Sequence, residues 1–197
     1  MIREVLEAIL APIAAAVKPG EYFEWLRAEA RRLPLLAKAA LALGAWVGAS
    51  MITFMLALLV GVIRGVVHAD IAGVIGAPGK AAVVAVLLPI LAAGVDSILI
   101  MVGALPAPRE ESLLLVPLVR ASSLLPYTVR AAILSVVGEA SLRSLYAASL
   151  HPLDLALLLA GTSLTAYGLR KTLVMPAVWA AIAALIPLAV KVYLGLG

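Results

Sequence analysis

The chain has 197 residues, 64% of them apolar and only 13% charged, with a net charge of +4 and a mean hydropathy of +1.14. A soluble domain carries roughly 25% charged residues, so this composition excludes an ordinary soluble fold and points to a chain that meets lipid. The absence of cysteine removes disulfides, thiolate metal sites and cysteine nucleophiles together.

The length leaves room for one bundle of about four to six spans and for no separate soluble domain of ordinary size. Asn and Gln are absent as well as Cys, a thermophile-like depletion of heat-labile residues that speaks of source and not of function. The pI near 9.6 does not imply nucleic acid, because the basic residues are scattered among apolar segments. A bilayer with anionic headgroups is the expected counter-charge.

In residues 2–17, Ile2, Val5, Leu6, Ile9, Leu10 and Ile13 share one helical face while Arg3, Glu4 and Glu7 share the other. Acids at 4 and 7 and Pro12 exclude a signal peptide, so this amphipathic helix either lies on the membrane surface or docks against the bundle. Pro19 opens a second short helix, where Tyr22, Phe23 and Trp25 precede Arg27, Arg31 and Arg32. Aromatic rings beside guanidinium groups favour the headgroup layer, and the set is expected to anchor the chain at the membrane interface or to form a docking face for a partner protein.

The first span is expected over 35–63, with Lys38 snorkelling to water. Within it Gly44 and Gly48 form a small-xxx-small motif that permits close helix packing. Residues 64–80 read as a loop carrying Arg64, His68 and Asp70 and closing on the turn-rich Gly76-Ala77-Pro78-Gly79. The second span, 81–105, has Pro89 and Gly94 ahead of Asp96 and Ser97, a sequence that bends a helix near a buried acid. The third, 113–137, follows a turn at 106–112. In it Arg120, Ser123, Tyr127 and Arg130 recur at +3, +7 and +10, on one face if the helix runs on through Pro126.

Residues 138–151, with Glu139, Arg143, Tyr146 and His151, read as a polar connection. The fourth span, 152–169, has Asp154 near its first turn as a cap and Arg170 with Lys171 at its end. The fifth, 174–194, offers Ala177, Ala180, Ala181 and Ala184 as a small face for packing. Residues 1–34 thus read as an amphipathic interfacial segment and 35–197 as a five-span domain, an all-α polytopic integral membrane bundle preceded by short interfacial helices. Arg3, Lys18, Arg27, Arg31, Arg32, Lys38, Arg109, Arg170 and Lys171 fall on one side, against Arg64, Lys80, Arg143 and Lys191 on the other. The positive-inside rule then puts the amino terminus in the cytoplasm and the carboxyl terminus outside the cell membrane.

An ionisable group at the centre of a span costs about 2.5 to 3.5 kcal/mol on insertion scales, so Asp96, Arg120 and Arg130 should be paired. At 1.5 Å per residue Asp96 lies about 13 Å, and Arg120 about 10 Å, from the turn that joins spans two and three, so the two can meet. The set is either a structural network fixing the register of these spans or a path for protons, ions or an anionic substrate.

The segment Lys18-Pro19-Gly20-Glu21-Tyr22-Phe23, a third span with Leu124-Leu125-Pro126-Tyr127, and a fourth ending Tyr167-Gly168-Leu169-Arg170-Lys171 before an Ala-rich fifth stand in an order that resembles the prokaryotic branch of the Yip (Ypt-interacting protein) family. The resemblance covers about residues 18–195. It implies a five-span membrane domain; eukaryotic relatives of that family form homomeric or mixed complexes and take part in vesicle traffic and membrane shaping. Eukaryotic members associate with prenylated small GTPases, but this chain lacks their long soluble amino-terminal region and Tyr-Gly-Pro type signature, which leaves small-GTPase binding doubtful.

No catalytic constellation is visible. Glu110 and Glu111 are adjacent and do not face each other, Ser122 and Ser123 have no nearby base, and no nucleophile elbow or phosphate loop is present. His68 and His151 lack a third ligand, so neither metal nor cofactor is expected. The expected function is noncatalytic organisation of membranes or partner proteins through oligomerisation. The alternative is a small transporter or channel-like subunit that uses Asp96, Arg120 and Arg130.

Overall fold

The structure is a computed structural model that describes residues 7–29, 32–89, 94–105, 115–137 and 152–193. Among these the chain is all-α, with nine helices and no strand: α1 Ala11–Val17, α2 Pro19–Ala28, α3 Leu35–Val67, α4 Ile71–Pro89, α5 Asp96–Gly103, α6 Val116–Ser122, α7 Leu125–Val137, α8 Pro152–Leu173 and α9 Ala177–Tyr193. Residues 2–6, Arg31, the 106–112 turn with Arg109, Glu110 and Glu111, the connection with Glu139, Arg143, Tyr146 and His151, and the side chains of Asp154 and Lys191 lie outside the described set.

Helix α3 has 33 residues, and among the described residues it is the one helix long and apolar enough to cross a membrane. Its Leu43, Val47, Met51, Met55, Leu59 and Ile63, spaced every four residues, are all exposed, while Ala45, Gly48, Ala49 and Ala57 are buried on the other side. Small residues face the protein and large apolar ones face out.

The loop expected over 64–80 is helix on both sides of a short turn. Ala69, at φ 52, reverses the chain, and the Gly73 N–H donates to Asp70 Oδ1 at 2.9 Å, a side-chain cap for the start of α4. Helix α4 then runs through Gly76-Ala77-Pro78-Gly79, so the second helix begins at Ile71 and not at Ala81. These residues were read as turn formers, yet all four are helical, and Ala77 is the one of them buried against α3. A Cβ at Gly61 would sit 2.9 Å from Ala77 Cβ, and one at Gly65 2.5 Å from Val74 Cγ2, so α3 and α4 touch nearly backbone to backbone.

Helices α6 and α7 run beside α3 in the same direction, with Ala49 against Leu124 and Ala57 near Ala132. They are not one continuous helix. Ser123 N–H bonds to the carbonyls of both Val119 and Arg120, and Leu124 N–H to Ala121, a tightened turn that precedes Pro126, whose missing N–H leaves the ladder one donor short. Helix α8 returns antiparallel, with Gly168 beside Val119 and Gly161 beside Tyr127. After Val174 at φ 58, α9 packs on α5 through Ala183 and Ile186 against Gly103. Its buried small face is Ala180, Ala183 and Ala184; of the expected set, Ala177 is exposed and Ala181 half-buried.

The amino-terminal segment docks, which was one of the two expectations for it. Ala8 lies over Gly44, where a Cβ would come within 2.6 Å of it, and the Ile9 carbonyl occupies the space over Gly48. Ala8, Ala11 and Ala15 are buried, while Leu10, Ile13 and Val17 are exposed. The Gly44 and Gly48 notch is therefore filled from within the same chain.

Candidate functional site

Asp96 opens α5 directly after a short π-helical stretch at 94–95, and Arg120 lies in the last turn of α6. Both are buried, at 0% and 4% exposure, and Arg120 Nη2 donates to Asp96 Oδ2 at 2.6 Å. A contact this short between opposite charges is a charge-assisted hydrogen bond, strengthened by the absence of competing water. A third helix joins them. Arg120 Nη1 donates to Thr165 Oγ1 at 3.2 Å, and that hydroxyl passes its own proton to the Gly161 carbonyl at 2.9 Å.

The Tyr127 ring, two helical turns beyond Arg120, lies with its centroid 4.3 Å from the guanidinium carbon, a cation–π platform. The ring fits because residue 161 is glycine; a Cβ there would run into Tyr127 Cε2. The Tyr127 hydroxyl pairs with Thr162 Oγ1 at 3.0 Å. The guanidinium is thus held by a carboxylate, a hydroxyl and an aromatic face from three segments of chain. Arg120 Nε and Ser97 Oγ, also shielded, have no hydrogen-bond partner among the described residues.

Of the residues expected to share one polar face, Arg120 and Tyr127 do converge. Ser123 does not join them, because its hydroxyl donates to the Val119 carbonyl of its own helix at 2.7 Å. Arg130 is buried and engaged, but it sits in α7, about 15 Å of helix beyond Arg120. Thr162 and Thr165 were not singled out from sequence. Their signal was two hydroxyls three residues apart in an apolar helix, which puts both on one face.

The residues expected at the membrane interface divide. Phe23 is fully buried, where a Cβ at Gly168 would lie 2.7 Å from its ring, and its ring meets Tyr167 edge-on at 6.2 Å. The Tyr22 hydroxyl is 2.6 Å from Ser122 Oγ; because Ser122 gives its only proton to the Leu118 carbonyl, Tyr22 is the donor. Burial pushes the Tyr22 phenol up to about 12, against a smaller downward pull from the Ser122 hydrogen bond. Trp25, Arg27 and Arg32 are exposed. At the rim, Lys171 Nζ meets Glu24 Oε1 at 2.8 Å; the hydrogen bond and charge of Lys171 hold the Glu24 carboxyl below its usual range, and Glu24 raises Lys171 in turn. Helix α2 is therefore fastened to α6 and α8 by one hydroxyl, one ring and one ion pair.

His68 ends α3, and among the described residues no three His, Cys, Asp or Glu gather as a metal site. No family model matches the chain, and no curated protein or solved structure matches it either.

Proposed function

We propose that the chain is a five-span helical membrane protein, Yip-like, with a cytoplasmic amino terminus and an outside carboxyl terminus, that organises the membrane or partner proteins as an oligomer and catalyses no reaction. The observation that carries this reading is an inside-out distribution of side chains. Asp96, Arg120 and Arg130 are buried, while large apolar residues on five of the helices face out: Met51 and Met55 on α3, Ile75 on α4, Ile98 on α5, Leu159 on α8 and Val178 on α9. A soluble protein would pay dearly for that surface, whereas in lipid it is the stable arrangement. The Asp96 and Arg120 pair supports a structural role because its guanidinium is directed at neighbouring helices on several sides.

A second reading, transport, is favoured by one feature, the π-helical stretch just before Asp96, since such irregularities often accompany function. Reconstitution into liposomes separates the two. The organising reading expects no ion or solute flux from the intact protein, and cross-linking in native membranes that captures a second copy or another membrane protein. A flux abolished by Asp96→Ala would replace it with the transport reading.

A further inference from the structure

With α4 beginning at Ile71, Lys80 stands inside a helix, about 13 Å from its start, and not in a loop ahead of it. It is exposed, and it enters no ion pair or hydrogen bond among the described residues. The surface around it is apolar in both directions. Ile71 and Ile75 are each 75% exposed on the side of the turn, joined there by Ile63, Val66 and Val67 of α3, and Val83 and Val86 are exposed on the other side. A lysine at a helix end lifts its ammonium to the headgroups on a four-carbon stem, but a stem of that length does not clear so long a stretch of helix.

The other charges of the long helices are placed differently. Asp96, Arg120 and Arg130 are buried, Arg64, Arg170 and Lys171 fall in the last turns of their helices, and Lys38, expected to snorkel, is buried in the first turn of α3. Among the described residues of α3, α4, α8 and α9, Lys80 is thus the one exposed charge away from a helix end. Beside it the helix is bare. Gly76, one turn before Lys80, and Gly79 have nothing within 4 Å of where a Cβ would stand, and with the exposed Ala72 and Val83 they share one flank. A second helix backbone can come close to such a flank. The small residues do not by themselves name what lies there; the unpaired ammonium does, because a cation in an apolar layer is satisfied by a carboxylate at its own depth. A second copy does not present one. From α3 to α9 the helices contain two acids, Asp96, which is 0% exposed, and Asp154, which stands in the first turn of α8.

We propose that this face of α4 docks a transmembrane helix of another membrane protein, one whose middle carries a carboxylate that pairs with Lys80 while its backbone lies against Gly76 and Gly79. The proposal rests on the reading of the chain as a membrane protein. Its test uses the full chain, labelled with a donor dye and reconstituted in liposomes, with synthetic polyleucine transmembrane helices that carry an acceptor dye and one central Asp, Asn or Leu. Energy transfer should show the Asp helix bound roughly tenfold tighter than the Leu helix, and tighter than the Asn helix. Lys80→Leu should abolish that preference. Gly76→Leu, which keeps the charge and fills the flank, should weaken the Asp helix by a similar factor. Equal binding of the three helices, as a lysine satisfied by lipid phosphate would give, overturns the proposal. So does a preference that survives Lys80→Leu, undiminished binding by Gly76→Leu, or self-association of the chain that needs Lys80 and is not displaced by the Asp helix. A chain that alkaline carbonate strips from the liposomes would defeat the membrane reading itself, and the proposal with it.

Discussion

Two of the ion pairs that bring distant parts of the chain together differ in nearly everything but charge. Asp96 and Arg120 meet at 2.6 Å with both side chains almost wholly buried, whereas Glu24 and Lys171 meet at 2.8 Å with side chains 62% and 36% exposed. In the first, removal of one partner strands a charge where water cannot reach it. In the second, water and salt replace whatever is lost. The comparison teaches that the helices of the bundle are tied by a contact that cannot be given up piecemeal, while α2 is fastened by one that can.

The sharpest way to break this contrast is Asp96→Ala, which should lower the unfolding free energy in detergent by about 3–5 kcal/mol. Arg120→Ala should do comparable harm, and the double change should cost less than the sum, with little dependence on salt. Strict additivity in thermal denaturation would remove the pair from the account. Next in size, Gly48→Val places a side chain where the Ile9 carbonyl lies and should cost about 1–3 kcal/mol. Its signature is faster hydrogen exchange in residues 7–17 ahead of any change in the bundle.

Tyr22→Phe should cost about 0.5–1.5 kcal/mol, the range for one hydrogen bond, since Ser122 keeps its own bond to Leu118. The phenol is raised from its usual 10 to about 12, so the folded state holds this proton more tightly than the unfolded state. That contribution is complete below pH 10 and is lost as the pH rises toward 12. An alkaline denaturation profile measured for Tyr22→Phe should lose that component; an unchanged profile would show that the phenol is not held as described.

The smallest effect belongs to Lys171→Ala. Glu24 is lowered from 4.5, so its share of stability is present above that value and lost as the pH falls through the lowered one. Lys171 is raised from 10.5, so its share is present below 10.5 and lost at higher pH. The fastening is therefore intact across neutral pH. Hydrogen exchange in α2 should rise in Lys171→Ala at low salt, and the difference should vanish at high salt. A change as large as that of Asp96→Ala would erase the distinction between the two pairs.

Much of the site was legible as depth. Asp96 and Arg120 stand at similar distances from the turn between their helices, and a fixed rise per residue turns that count into proximity. Thr165 could not be found this way, because which helix lies across from Arg120 is decided by packing between segments far apart in sequence. Ser123 was placed on the polar face by periodicity, but the chain tightens before Pro126 and the serine satisfies itself on Val119. The glycines and proline of 76–79 carry the same letters in a turn and inside a helix, and it is the packing of Ala77 on Gly61 across the interface that goes with the helix.

Composition and periodicity by themselves determined that the described residues are helical without a strand, because backbone groups surrounded by apolar side chains must bond within their own segment. Tertiary structure alone decided that the amino-terminal segment fills the Gly44 and Gly48 notch, that Phe23 belongs to the interior, and that Thr165 stands across from Arg120. Each of these depends on which surfaces meet, and a local pattern of residues states what a face is made of without stating what will cover it.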